Sequence, residues 1–498
     1  MPMASCPADL AKIVAHAVPE RIAITIVFGK LRVTYAQLAE RANQLAARLQ
    51  RHGVEAGDSG IIAAPHWRNR ILRYLLILST FPLLLISGSA FSKEAPPLGG
   101  EALYRDVVRY AALGEHRTGG VGDLATAEWL RRELAAAGID GSSQTFRFTR
   151  FSARKSTIEV GGKAFSGLPF WFPHVTPSQG VPGVLVRMGA DAPLKGAIAL
   201  ADAATAGVWH QVDVPALARR AAAAGAVGLV VALDHPSGEH YQPNAVEGLE
   251  QTPLPIPVLV VSGGKGERLR ESVGSDAVLT ITGERIPDSP AANVFGRIVR
   301  GGGKWIVVST PLSGWFQAAG ERGPGIALWL GLARWAAATP GDQNFLFVAT
   351  SGHELHYLGA KEAIAEHKVP PPDEVAFWLH LGASIGTRAW ATRDGQVVPL
   401  DHEPPGKFFF VHPAAMSVAR AAFAPLPELG LQSVFALPDS AGGELAVFRN
   451  AGYPVAGFVG AHRFFHTPRD LPDVTAGDLL APYGTALRDL LINIAGTR

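Results

Sequence analysis

The chain of 498 residues carries a single cysteine, Cys6. That excludes an intramolecular disulfide and any cysteine-rich zinc module, and it leaves cysteine usage silent about compartment. Charge is sparse and balanced: charged residues make up 18%, with Lys plus Arg at 45 against Asp plus Glu at 43. No long basic run with interleaved aromatics occurs, which excludes nucleic acid as a main partner. Low-complexity tails are missing as well. With 48% apolar residues beside 55 Gly and 37 Pro, the body reads as globular and loop-rich. Two catalytic signatures are also absent. "SGHELHYLGA" (351–360) spaces its histidines three apart at a strand end, whereas H-E-x-x-H needs them four apart on a helix. "LPDSAGGELAVF" around Ser440 lacks the G-x-S-x-G elbow and reads as a substrate-cleft loop.

The length supplies two or three cores. Within it, "RNRILRYLLILSTFPLLLISGSAFSKEAPP" sets Arg68, Arg70 and Arg73 before an apolar stretch, 74–90, and ends on a small-x-small site at Ala90-Phe91-Ser92. Residues 68–92 therefore read as a signal peptide, with the residues before them an extension, or as a single membrane anchor, short and interrupted by Pro82. A buried core helix is the third reading, and the arginines and the Pro-rich linker that follows weigh against it. Export to the periplasm or exterior, or anchoring through this segment, is the expectation.

Residues 1–67 differ from the rest. Strand-like runs at Ile22–Phe28 and Leu31–Thr34 meet at Gly29-Lys30, and a helix is predicted from Tyr35 to Arg51 with Leu38, Leu45 and Leu49 on one face. The run "LRVTYAQLAERANQLAARLQRHGVEAGD" resembles the opening of the adenylate-forming (AMP-binding) enzymes. No Ser/Thr/Gly-rich phosphate loop follows, so the resemblance implies a fragment without adenylation activity.

Between 101 and 156 the sequence predicts a helix through Ala127, Leu130, Leu134 and Ala137 and a strand at "SQTFRFTRF". Residues 157–288 are rich in short strands, "GAIALAD", "AVGLVVAL", "PIPVLVVSG" and "AVLTITGE", with an Ala-rich helix over Val214–Ala224. This order resembles the protease-associated domain, an insert that in families carrying it forms or covers a substrate cleft. His235 and His240 in its loop read as solvated residues. From 289 to 498 fully apolar strands alternate with helices, as in "KWIVVST", helix 323–338, "NFLFVAT", helix 357–367 and "EVAFWLHLG". Alternation of this kind predicts an α/β fold with a mostly parallel sheet and helices on both faces, its ligands at the carboxyl ends of the strands.

Those strand ends carry the residues of interest. Taken together, 101–156 and 289–498 resemble the co-catalytic di-zinc aminopeptidases, of the leucyl aminopeptidase and glutamate carboxypeptidase type, with the protease-associated domain inserted at 157–288. Carried over residue by residue, the resemblance implies a changed site. Thr310 and Leu312 stand where the family has the His and Asp of H-x-D, and Gly382 stands at its third-strand aspartate. Glu321-Arg322 replaces the bridging Asp-Asn, His353 takes the general-base position, and Glu354 and His466 keep ligand positions, with Asp470 after them.

Two outcomes follow from this ligand set. A single zinc held by Glu321, Glu354 and His466, completed by His353 or His356, suits oxygen and imidazole donors. Alternatively Glu321, Arg322, Glu354 and His466 satisfy one another as a metal-free ion-pair cluster. The functional expectations are correspondingly a weak or altered metallo-exopeptidase, or a peptide- or protein-binding pseudopeptidase. In either case the cleft is expected to include Arg322, His356 and Ser440, and the partner is a peptide or protein.

Overall fold

The computed structural model describes residues 22–26, 31–34, 96–189, 192–206, 212–426, 434–439 and 441–496. The helix expected over 35–51, the apolar stretch 74–90 and Ser440 lie outside these residues. The chain divides into two compact units, Met1–Ser92 and Lys93–Arg498. In the first, β1 (Ile22–Ile26) and β2 (Leu31–Thr34) pair antiparallel, as the strand-like runs predict.

The second unit opens with helices Gly100–Ala111 and Val121–Ala136. Its strands are β3 (Asp140–Val160), β4 (Lys163–Ser166), β5 (Leu168–Pro169), β6 (Val181–Arg187), β7 (Ile198–Ala204), β8 (Gly228–Asp234), β9 (Val258–Ser262) and β10 (Asp276–Ile298). They continue as β11 (Gly302–Pro311), β12 (Gln343–Thr350), β13 (Val375–His380), the hairpin β14 (Trp390–Arg393) and β15 (Gln396–Pro399), β16 (Phe408–Val411), β17 (Val434–Ala436) and β18 (Val455–Val459). One sheet runs in the order β17-β16-β18-β13-β11-β12-β10-β6-β7-β8-β9-β5. The pairs β12–β11–β13–β18 and β6–β7–β8–β9 are parallel. The fold class is the mostly parallel α/β sheet that the sequence predicts.

Strand β12 shows why. All eight of its residues are buried, because helices cover both faces. Phe345, Phe347 and Ala349 enter a core with helices Gly100–Ala111, Gly323–Ala338 and Gly477–Gly496. Leu346 and Val348 enter the opposite core, with Ala360, Ala363 and Phe448 from helices Leu358–Ala365 and Glu444–Asn450. Helix Gly323–Ala338 is apolar nearly all round because it is enclosed by the sheet and its neighbours, and it starts with proline in its first turn, where the missing N–H is harmless.

Two findings depart from the sequence reading. The lead-in before the 121–136 helix is itself a helix, Gly100–Ala111, whose Leu103, Val107 and Tyr110 pack into the main core. The edges expected at 157 and 288 fall inside two long strands, β3 and β10, which pair antiparallel from Val160↔Ala277 to Asp140↔Arg297. This ribbon joins the central sheet to β6–β9, whose two faces have separate cores around Leu200 and Val230 and around Ala199 and Val231. Among the described residues no helix is long and apolar enough to cross a membrane.

Candidate functional site

Parallel pairing brings the carboxyl ends of β11, β12, β13 and β18 to one edge, and the loops leaving them converge there. Between β11 and its helix come Ser313 and the Glu321-Arg322 pair; after β12 comes a 3₁₀ turn, His353–Leu355; after β18 comes His466. Arg322 is the centre. Its Nη2 lies 2.8 Å from Glu321 Oε1 in an ion pair and donates to Glu354 Oε1 at 2.9 Å, and its Nε donates to the Ser313 carbonyl at 3.0 Å. His466 Nε2 lies 3.0 Å from the same Glu321 oxygen, and its Nδ1 lies 2.9 Å from the Gln242 carbonyl. Glu321, Arg322, Glu354 and His466 are each at most 3% exposed.

Burial of two carboxylates and a guanidinium is tolerable only because each is paired and hydrogen-bonded. Desolvation would raise Glu321, but the Arg322 guanidinium, and then His466, outweigh it and hold this carboxyl well below its ordinary value. Arg322 is likewise raised: burial opposes its charge, and Glu321 and Glu354 more than compensate. A second layer fixes these groups. Asp470 accepts from the Gly320 N–H at 2.6 Å and the Glu321 N–H at 3.1 Å, and the Ser313 hydroxyl donates to Glu354 Oε2 at 2.8 Å. The same hydroxyl accepts from the Gly352 and His353 N–H groups at 3.0 and 3.1 Å.

The turn itself is strained. Gly352 (φ 84°) permits a left-handed backbone, but His356 and Tyr357 adopt it too, each at φ 63°. The chain is held in that path by close packing: a Cβ on Gly359 would meet the Ser351 carbonyl at 2.2 Å. Ser384 (φ 64°) and His466 (φ 57°) are left-handed as well, so the loops around the site share this feature.

Glu321, Arg322, His353 and His466 line one wall of a cavity of about 850 Å³. Aromatic rings line much of the rest, including Phe170, Tyr241, Tyr357, Phe458 and Phe465. One side comes from the 157–288 region. Its segment Tyr241–Ala245 is tied to both site loops, with the Gln242 N–H donating to the His466 carbonyl at 3.0 Å and the Ala245 N–H donating to the Glu354 carbonyl at 3.0 Å. Trp315 Nε1 donates to Asn244 Oδ1 at 2.8 Å, and Tyr241 stacks on His466 at 5.6 Å.

The residues singled out from the sequence divide clearly. Glu321, Arg322, Glu354, His353 and His466 come together. Thr310 donates to the Leu381 carbonyl at 3.0 Å inside the protein, and Leu312 is part of the main core. A Cβ at Gly382 would meet the Phe458 carbonyl at 2.7 Å, so backbone closes that corner. His356 departs from expectation: it turns away from the cavity to Glu247 (3.5 Å) and the Lys361 ammonium (3.2 Å), because the left-handed turn reverses the chain there. His235 is also not a solvated residue. It is buried, stacked on Tyr241 at 4.8 Å and 2.7 Å from the Ser237 hydroxyl, and burial lowers His240 to about 4.

Other residues of the site carry no recognisable pattern in the sequence. Glu444 accepts from His353 Nδ1 at 2.7 Å and from the Thr350 hydroxyl. Desolvation, then Arg322, lowers His353 to about 3, so it stands neutral at the cavity wall. Tyr241, His380 and Glu444 also line the cavity. Nearby, the Ser351 hydroxyl donates to both oxygens of Asp123 at 2.9 Å.

A zinc ion does not fit this donor set as it stands. The two carboxylate oxygens that would face it already share one guanidinium nitrogen, a permanent cation, at hydrogen-bonding distance. The residues at 310, 312 and 382 offer no side-chain ligand of the carboxylate or imidazole type.

No family model matches the chain. A curated relative from Mycobacterium tuberculosis, described as a probable lipoprotein aminopeptidase, is 24% identical over 309 residues, which is 58% of this chain and 59% of the relative. The chain thus spans about three fifths of that protein's length. A zinc aminopeptidase structure from Bacillus subtilis aligns with a TM-score of 0.63 at 18% identity, covering 80% of this chain and 96% of its own. A peptidase M28 precursor from Shewanella amazonensis aligns at 0.62 with 19% identity, covering 79% and 93%. An aminopeptidase from Aneurinibacillus aligns at 0.58 with 16% identity, covering 80% and 94%. The fold of this chain is that of the zinc aminopeptidases, with a guanidinium at the heart of its site.

Proposed function

We propose that this chain is a peptide-binding protein built on the aminopeptidase fold, which holds its ligand without cutting it through a zinc pair. The observation that carries the reading is Arg322, whose Nη2 lies 2.8 Å from Glu321 and 2.9 Å from Glu354. A guanidinium cannot lower the pKa of a bound water as a divalent metal does, so the site lacks the means of making hydroxide at neutral pH. Peptide is the ligand class because the cavity of about 850 Å³ joins aromatic walls to a carboxylate and imidazole floor. We read residues 157–288 as a protease-associated domain that supplies one cavity wall through Tyr241–Ala245. Export fits the 68–92 segment and the lipoprotein description of the mycobacterial relative, while residues 1–67 act as a fragment without adenylation activity.

A second reading, a zinc-dependent exopeptidase, draws on one observation: Glu321, Glu354 and His466 are gathered at one point, with neutral His353 beside them. The two are separated by incubating the purified chain with zinc, dialysing it, and measuring metal content, cleavage of amino-acid anilides and calorimetric peptide binding. The expected result is no retained zinc, no chelator-sensitive cleavage and measurable peptide binding. Near one equivalent of zinc with chelator-sensitive hydrolysis retires the proposal in favour of the second reading. Sequencing the mature N-terminus tests export, with a start at or near Lys93 expected.

A further inference from the structure

Away from the Arg322 cluster, four buried donors surround one small cavity. Arg117 Nε, Thr118 Oγ1, Arg150 Nε and Trp171 Nε1 are buried with no hydrogen-bond partner among the described residues. All four side chains line the same cavity, of about 10 Å³, with apolar walls from Phe148 and Leu355. That volume admits a single water-sized occupant. The donors come from separate parts of the chain: Arg117 and Thr118 from the turn between helices Gly100–Ala111 and Val121–Ala136, Arg150 from β3, and Trp171 from the segment after β5. Backbone hydrogen bonds fix the turn, with the His116 N–H donating to the Phe316 carbonyl at 2.7 Å and the Gly314 N–H to the His116 carbonyl at 2.9 Å. The Arg117 guanidinium lies 5.3 Å from the Trp171 ring centroid and 5.4 Å from that of Trp315. Such contacts satisfy its faces and leave the N–H at its edge unpaired.

Charge identifies the occupant. Burial disfavours the charge on Arg117, Glu115 offsets part of that, and the neighbouring Arg150 adds to it, so this guanidinium is lowered from its ordinary value. Glu354, the carboxylate that lines the cavity, is already engaged, its Oε1 accepting from Arg322 and its Oε2 from Ser313. Leaving buried donors unpaired is costly, more so when they carry charge. A water would have to place two hydrogens among four groups of which three can only donate, whereas a halide accepts from all four and offsets one positive charge. Polyatomic oxyanions exceed the volume.

We infer that Arg117, Thr118, Arg150 and Trp171 form a buried halide site, filled by chloride, that clasps the turn after the first helix, β3 and the Trp171 segment behind the Glu354 turn. It lies outside the peptide cavity and holds whether or not that cavity takes a metal.

The test compares the full-length chain with Thr118→Val and Arg150→Met. Thermal midpoint is read at constant ionic strength as gluconate is exchanged for chloride or bromide, and the line width of the chloride NMR signal reports binding. The wild type is expected to melt about 3 °C or more higher in about 100 mM chloride or bromide than in gluconate, and to broaden the chloride signal until bromide displaces it. Each variant is expected to lose most of both effects. Crystals of the wild type grown in bromide are expected to show an anomalous peak among the four donors, a readout that stands even where a variant does not fold. An ordered water in place of that peak, or a halide response equal in wild type and variants, overturns the site and leaves the proposed peptide binding untouched.

Discussion

His353 Nδ1 lies 2.7 Å from Glu444 Oε2, across 91 residues of sequence, and the second oxygen of Glu444 accepts from the Thr350 hydroxyl. A buried glutamate thereby fixes a neutral imidazole at the cavity wall, with Nδ1 committed to the glutamate. Removing that carboxylate strands two buried donors. Glu444→Ala is expected to lower unfolding free energy by about 2–4 kcal/mol, and Glu444→Gln, which keeps an acceptor, by about 1 kcal/mol. Urea titration checks this, and equal losses in the two variants would contradict the pairing.

Tyr241 stacks on His466 at 5.6 Å and on His235 at 4.8 Å, and it faces the cavity. If the 241–245 segment helps to hold peptide, Tyr241→Ala weakens binding by about tenfold, the loss of one aromatic wall. Calorimetry with the peptide that binds the wild type decides. Unchanged affinity would remove this segment from the binding surface.

Three buried imidazoles govern behaviour in acid. Burial is the main cause that lowers His116 and His353 to about 3 and His380 to about 4, against an ordinary 6.5. Unfolded, each takes up a proton near 6.5, so between that value and about 4 the unfolded chain binds more protons than the native one. Stability therefore declines as pH falls through this window, by at most about 1.4 kcal/mol per pH unit for each group. In Asp123→Asn, which lacks a buried carboxyl of opposing effect, urea midpoints at pH 7, 6 and 5 should fall steadily; a flat series in that variant would be incompatible with buried neutral histidines.

Asp123 acts in the opposite direction. Burial pushes its carboxyl up to about 8, against the Gly119 N–H and Ser351 hydroxyl that favour its charge. Native protein keeps this proton where the unfolded chain, with an ordinary value of 3.8, has lost it, so stability falls as pH rises from about 4 to about 8. Asp123→Asn keeps an acceptor for Ser351 and Gly119 but has no charge to bury. The variant should lose much of the wild-type drop in thermal midpoint between pH 6 and pH 9. An identical drop in both proteins would show that another group is responsible.

Much of the architecture was legible in the sequence because it is written in short-range pattern. Apolar runs such as Phe345–Ala349 read as buried parallel strands, and the helices at 214–223 and 323–338 match their predicted spans closely. The long ribbon of β3 and β10 was not legible. Its strands of 21 and 23 residues mix exposed and buried stretches as they pass from one core to the next, so no single period runs through them.

The sequence by itself determined the parts list of the site: glutamates at 321 and 354, an arginine at 322, histidines at 353 and 466, and no ligand at 310, 312 or 382. That follows from residue chemistry, which needs no coordinates. Which of these groups meet was decided by tertiary structure. Glu321 and His466 are 145 residues apart, and His356, three positions from His353, is turned outward by a left-handed backbone. Ion pairing between buried groups depends on distances of about 3 Å that only the packed sheet and its loops impose. The choice between a ligand set awaiting a metal and one drawn closed around Arg322 therefore lies in the fold.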